Sequence, residues 1–260
     1  MLFRSIALSL FLVILLNACF LQNFDKSLSY GSFELIFQSN TEDHNKFNEN
    51  VCPDKSSSSY PISDKWDHPL AIRSIAEELG LSGKNITIAF IDTGINLQHE
   101  AFARFGGMIP YFNVNDPSSY GNPSKIKDFQ GHGSHVASIA LGHSSQFRGI
   151  APNASCVAVS IFNDSSSIST SPENFFAAIN WIQTYKLSNP LDILSISLGM
   201  PILPEMEDPF LEIMENLTKT GITVVASAGN SGDMGSSTVF SPGTSPYVIT
   251  VGNIDPKSYT

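Results

Sequence analysis

A chain of 260 residues that is 42% hydrophobic and only 15% charged carries enough apolar material for a full core, in one large domain or two small ones. Its 24 acidic residues outnumber the 14 basic ones, for a formal net charge of −10. Without a basic surface to neutralise phosphates, nucleic acid is not expected as a partner.

In chain order, Arg4 precedes the apolar run Ile6 to Leu16, which closes on Asn17-Ala18-Cys19. Charge, apolar stretch and small residue form the pattern of a secretory signal over residues 1–18, and predict an exported protein, secreted or attached to the cell envelope. The competing reading is a short membrane anchor, because the run to Leu21 falls only a little under the roughly 17 residues a spanning helix needs. Cys19 also sits where a bacterial lipoprotein would carry its lipid, although Asn17 is uncommon there. Signal, anchor and lipid are the only routes to a membrane that the sequence offers.

The chain has three cysteines, Cys19, Cys52 and Cys156, too few for a disulfide framework. Cys52 and Cys156 can pair in an oxidising compartment or remain two thiols, with Cys156 buried in a strand; spacing does not choose between them. His132 and His135 stand three apart without the acidic partner of a zinc-peptidase helix, so no metal site is assigned. Residues 19–64 are rich in Ser, Asn and Asp; Gln38 to Tyr60 reads as a solvated linker, and only Ser32 to Phe37 looks strand-like.

Residues 65–260 form the folded domain. Helical apolar spacing runs from Pro69 to Leu79 and stops at Gly80. Asn85 to Ile91 is a continuous apolar, β-branched run, the mark of a strand covered on both faces. Further strands are expected at Cys156 to Phe162, Ile193 to Leu198, Ile222 to Ala226 and Tyr247 to Val251. Helices are expected at His132 to Leu141, Pro172 to Tyr185 and Pro209 to Lys219. This alternation predicts an α/β fold of three layers, a mostly parallel sheet with helices on both faces.

Four short motifs lie on this framework: Asp92-Thr93-Gly94, Gly131-His132-Gly133-Ser134-His135-Val136-Ala137, Ser197-Leu198-Gly199 and Ala226-Ser227-Ala228-Gly229-Asn230. Asp92, Ser197 and Asn230 fall at or just past the C-terminal ends of strands, where open α/β sheets bind ligands. Alone, Asp92 before Thr-Gly reads as a turn cap and Asn230 before Ser-Gly as a turn residue. Together the motifs supply an acid, a base, a substrate-binding edge and an amide donor, the parts of a serine peptidase except its nucleophile. A nucleotide-binding domain is not supported, because no Gly-rich loop follows the first strand.

In this order and with these neighbours, the motifs over about residues 65–260 resemble the subtilisin-like serine peptidases, or subtilases. The resemblance implies that Asp92 orients His132, that His132 is the general base, and that His135 is a structural histidine one turn on. It implies that Ser197, Leu198 and Gly199 pair with a polypeptide substrate, and that Ala226, Ser227, Ala228 and Gly229 wall a side-chain pocket. Asn230 becomes the oxyanion donor, a contact worth about 3–4 kcal/mol where it was measured in subtilisin. Val239-Phe240-Ser241-Pro242-Gly243 matches the family loop in which a cis proline is usual, with Phe240 near the pocket bottom. Residues 19–64 then become a short pro-segment or a linker.

Departures from the family pattern are few. Ser138 stands where Gly is usual, and Met200-Pro201-Ile202-Leu203-Pro204 replaces a glycine beside the cleft. No cofactor is required. Family members often hold a structural calcium after the His helix, but His143 to Arg148 offers no carboxylate and hence no convincing site. The nucleophile belongs in a Gly-Thr-Ser-x-Ala segment. Gly243-Thr244-Ser245 is followed by Pro246 and fits the proline loop instead. The expectation is a serine endopeptidase seen as a fragment that lacks its Ser, incomplete at the C-terminus and inactive as it stands. The rival is a catalytically inactive peptide-binding or interaction module on the same fold.

Overall fold

The structure, a computed structural model, describes residues 35–36, 76–146, 148–162, 169–203 and 205–252. The run read as a secretory signal, Cys19, the stretch Gln38 to Tyr60 read as a linker, Cys52 and most of the helix expected from Pro69 lie outside these residues; residues 76–78, within that expected helix, are helical.

Strands β1 (Leu35–Ile36), β2 (Thr87–Asp92), β3 (Tyr111–Asn113), β4 (Ser155–Ser160), β5 (Ser169–Thr170), β6 (Ile193–Ile196), β7 (Thr223–Ser227) and β8 (Ile249–Val251) alternate with helices. The helices are α1 (His132–Leu141), α2 (Pro172–Lys186) and α3 (Leu211–Lys219). Six strands form one sheet in the order β3-β4-β2-β6-β7-β8, and every neighbouring pair is parallel. Separately, β1 pairs antiparallel with β5, matching Leu35 to Thr170 and Ile36 to Ser169.

The strand sequences explain the layering. Side chains alternate faces along a strand, so a strand buried on both must be apolar throughout. In β2, Ile88 and Phe90 enter one core, with Val136, Ala137, Ala140 and Leu141 of α1. Ala89 and Ile91 enter the other, with Phe175, Ile179 and Ile182 of α2 and Met214 and Leu217 of α3. The result is the three-layer α/β arrangement expected, with α1 on one face and α2 and α3 on the other.

The predicted strands appear within a few residues of their expected bounds, and α1 matches at both ends. Two differences have local causes. α3 starts at Leu211 and not Pro209, because the Asp208 carboxylate accepts from the Phe210 N–H (2.9 Å) just before the helix. The short edge strand β3 carries too few residues to show a period.

The second core centres on Phe175, fully buried and set edge-to-face on Phe210 with ring centroids 4.8 Å apart. Phe175→Ala should destabilise the domain by about 3–5 kcal/mol, read from the midpoint of chemical denaturation, because α2 and α3 cannot close over the cavity.

Candidate active site

Asp92 is the last residue of β2 and only 2% exposed. A carboxylate buried there must have its lone pairs met by donors. Two meet Oδ1: the Thr93 N–H at 2.7 Å and Nδ1 of His132 at 2.7 Å. An ionised carboxylate only accepts, so His132 carries its proton on Nδ1 and presents Nε2 as the basic nitrogen. The His132 side chain is 10% exposed at the first position of α1.

The helix is brought to the strand by backbone contact. Gly133 lies so close to the 92–94 segment that a Cβ there would overlap the Gly94 carbonyl and stand 3.1 Å from Cβ of Asp92. Its N–H donates to Thr93 Oγ1 at 2.8 Å. Gly131 precedes the helix at φ 98°, a left-handed conformation that glycine adopts without cost.

Sequence reasoning missed Asp128. Its carboxylate accepts five hydrogen bonds, from Thr93 Oγ1 (2.9 Å), Gln130 N (3.1 Å), Gly131 N (2.8 Å), Ser134 N (2.8 Å) and Ser134 Oγ (2.6 Å). Ser134 Oγ in turn accepts from Asn96 N at 2.8 Å. Because Gly131 has no side chain with which to cap α1, Asp128 does so from further upstream and ties the helix start to the Asp92 loop. The available signal was an acidic residue shortly before a helix that lacks a capping side chain.

Sheet register aligns the other predicted residues. Ile91 of β2 pairs with Ile196 of β6, and Ile196 with Ala226 of β7. The next residues along, Asp92, Ser197 and Ser227, therefore form a row across three strands at roughly 5 Å spacing. Leu198 and Gly199, both buried, follow Ser197. Ala228, Gly229 and Asn230 follow β7, half-buried, with the Ala228 N–H donating to the Val251 carbonyl at 2.8 Å. The segment Phe240–Ser241 runs between these two edges: Phe240 N donates to Ala228 O, and Ser241 exchanges both backbone hydrogen bonds with Met200. The Ser241–Pro242 peptide is cis, as expected. Asp92 and His132 are in direct contact, then, and the Ser197 and Asn230 segments flank them at the same end of the sheet.

His135 lies one turn along α1. Burial pushes its imidazole down to about 4 from the ordinary 6.5; nearby His132 adds to the shift and Asp92 opposes it. It is thus neutral near pH 7. Ser138 departs from the family pattern without disturbing the helix, since its hydroxyl donates back to the His135 carbonyl at 2.8 Å. Cys156, in β4, is a buried free thiol whose pKa burial pushes up, leaving it unreactive. Among the described residues, no group of three or more His, Cys, Asp or Glu is placed to hold a metal ion. No described helix is long and apolar enough to cross a membrane.

A hydrogen-bonded Asp–His pair at the C-terminal edge of a parallel sheet, flanked by a strand edge and a glycine-containing loop, is an arrangement that recurs in several classes of α/β hydrolase. Known proteins narrow this further. The Subtilase family model matches residues 83–260, and the chain belongs to that family. It is 36% identical over 185 residues to "Serine protease AprX" of Bacillus subtilis, covering 67% of this chain and 39% of that protein. With Subtilisin DY of Bacillus licheniformis it shares 33% over 190 residues, 72% of this chain and 63% of that one. The fold is similar to that of a cold adapted subtilisin-like serine proteinase, with TM-score 0.52, 26% identity, and coverage of 68% of this chain and 57% of the other. The chain thus spans between 39% and 63% of the length of these two relatives.

The half-buried His135 makes stability depend on pH. Between about 6.5 and about 4 the unfolded chain binds a proton that the folded one does not. The stabilisation is complete above the unfolded value and is lost as pH falls toward the folded one, on the order of 3 kcal/mol in all. Tm should fall across this window, and His135→Gln should flatten the slope; an unchanged slope in the variant would assign it to other groups.

Proposed function

We propose that this protein is a serine-type endopeptidase that hydrolyses polypeptide substrates through an Asp-His-Ser triad. The observation that carries this reading is the 2.7 Å contact between His132 Nδ1 and the buried Asp92 Oδ1. It holds one tautomer and one ring orientation, and it stabilises the imidazolium that forms when His132 takes a proton. His132 acts as general base toward a serine hydroxyl, then as general acid toward the leaving amine. Ser197, Leu198 and Gly199 add the substrate as an extended strand at the end of β6. Ala226, Ser227, Ala228 and Gly229 form a pocket wall, Phe240 closes the pocket floor, and the Asn230 amide donates to the developing oxyanion.

No Gly-Thr-Ser-x-Ala segment to carry the serine occurs in the 260 residues. In this reading the serine comes from further sequence of the same protein, and the 260-residue chain alone hydrolyses no peptide bond. The apolar N-terminal run supports export, with a membrane met only through that segment or a lipid on Cys19. No cofactor takes part in the chemistry.

The test is a fluorophosphonate probe applied to the protein expressed from its gene with its downstream sequence. The wild type should label and His132→Ala should not; full labelling of the variant would remove His132 from the mechanism. Asn230→Ala should lower kcat about 10²–10³-fold with little change in KM, because the amide acts on the transition state. A loss carried equally in KM would make Asn230 a substrate-positioning group.

A further inference from the structure

Asp208 lies outside every motif, yet its carboxylate accepts from three donors in two segments, the Ser241 hydroxyl being shared between its two oxygens. Ser241 Oγ donates to Oδ1 (2.7 Å) and Oδ2 (2.8 Å), Thr244 Oγ1 to Oδ2 (3.0 Å) and the Phe210 N–H to Oδ1 (2.9 Å). Its two sides differ in kind. On one side is the hydrophobic core, because Phe210 is fully buried against Phe175 and Phe176. On the other is the loop Phe240–Thr244, where Ser241 is 0% exposed.

That loop separates the two substrate-binding edges and has no slack. A Cβ at Gly199 would stand 2.7 Å from the Ser241 carbonyl oxygen and 2.9 Å from Cβ of Phe240. A Cβ at Gly229 would stand 3.0 Å from Cγ of Phe240. Ser241 is also hydrogen-bonded through both backbone groups to Met200 (2.9 Å each), and Phe240 N to Ala228 O (3.1 Å). Wherever Ser241 goes, the Phe240 ring and both edges go with it.

We propose that Asp208 is the positioning residue for substrate side-chain selection, fixing the depth of the pocket by clamping Ser241 and, through it, Phe240 to the core at the start of α3. This rests on the peptidase reading of the cleft. Asp208 touches no substrate. Without it, the buried Ser241 hydroxyl loses its acceptor and must turn or move to find another. The floor then shifts beneath the largest substrate side chains, while small ones do not reach it.

That difference separates positioning from mere stability. A loss of folded protein lowers the apparent affinity for every peptide by one factor, whereas a displaced floor changes the ratio between peptides. The experiment uses the protein expressed with its downstream sequence and tetrapeptides identical except for a C-terminal Phe, Leu or Ala, with affinities from titration calorimetry. The wild type should prefer Phe and Leu over Ala. Asp208→Ala should cut that preference about fivefold or more, on the scale of a contact change in an apolar pocket. Ser241→Ala should do the same, and the double variant should lose no more than either single one, because both break one linkage. Asp208→Asn keeps an acceptor oxygen and should recover most of the preference.

An unchanged Phe-to-Ala ratio in folded Asp208→Ala overturns the proposal. Should that variant not fold, Ser241→Ala and Asp208→Asn decide by the same ratio. A wild type that binds none of the peptides overturns the peptidase reading of the cleft and this proposal with it, an outcome separate from wild-type binding with unaltered variants.

Discussion

Everything at the working edge of this molecule follows from a carboxylate buried at the end of an apolar strand. Asp92 is 2% exposed, and a charge so placed is tolerable only with hydrogen-bond donors aimed at it. The chain supplies one from the next residue and one from His132, forty positions later. Meeting that demand requires α1 to come within backbone contact of the Asp92 loop, which is why Gly133 has no room for a side chain. The same demand accounts for the web of hydroxyls around it. Thr93, Ser134 and Asp128 are joined so that strand end and helix start move as one body.

The parallel sheet turns this local pair into a site. Registers across β2, β6 and β7 bring Asp92, Ser197 and Ser227 into one row, so residues more than a hundred positions apart share an edge. This follows from strands buried on both faces, whose largely apolar sequences place most of their polar residues at the ends, Ser195 inside β6 being an exception. Connections that cross back over the sheet then return each strand to the same end of it. A cleft with an acid–base pair on one side and a glycine-lined edge on the other is the consequence.

The two sides of that cleft are held differently. On the acid–base side the ring of His132 is fixed by a buried charge and by a helix start tied down through Asp128. On the other side short loops with small residues are held apart by Phe240, and their spacing depends on hydroxyl-to-carboxylate bonds at Asp208 and Ser241. Both sides use a carboxylate outside the motifs to anchor a segment inside them. A catalytic group must keep one geometry, and a neighbouring carboxylate that accepts several hydrogen bonds restrains it more tightly than apolar packing does.

Much of this was legible before any coordinates. The strands of the sheet, the exact span of α1 and the four motifs are local properties: a run of β-branched residues, a helical period, a short string of glycines beside chemistry-bearing side chains. The family resemblance rested on those strings, and the structure puts Asp92 and His132 in hydrogen-bond contact. The links from Asp128 to Thr93 and from Asp208 to Ser241 were not legible, nor was the bridge of Phe240–Ser241 between Met200 and Ala228. Each depends on partners that sequence does not place near it; Thr93 lies 35 positions from Asp128, and Ser241 lies 33 from Asp208. The sequence by itself determined which segments would be buried, because hydrophobic pattern reports burial directly. Only the tertiary structure decided which carboxylate answers which donor, because a hydrogen bond is chosen by the distance that folding creates and not by separation along the chain.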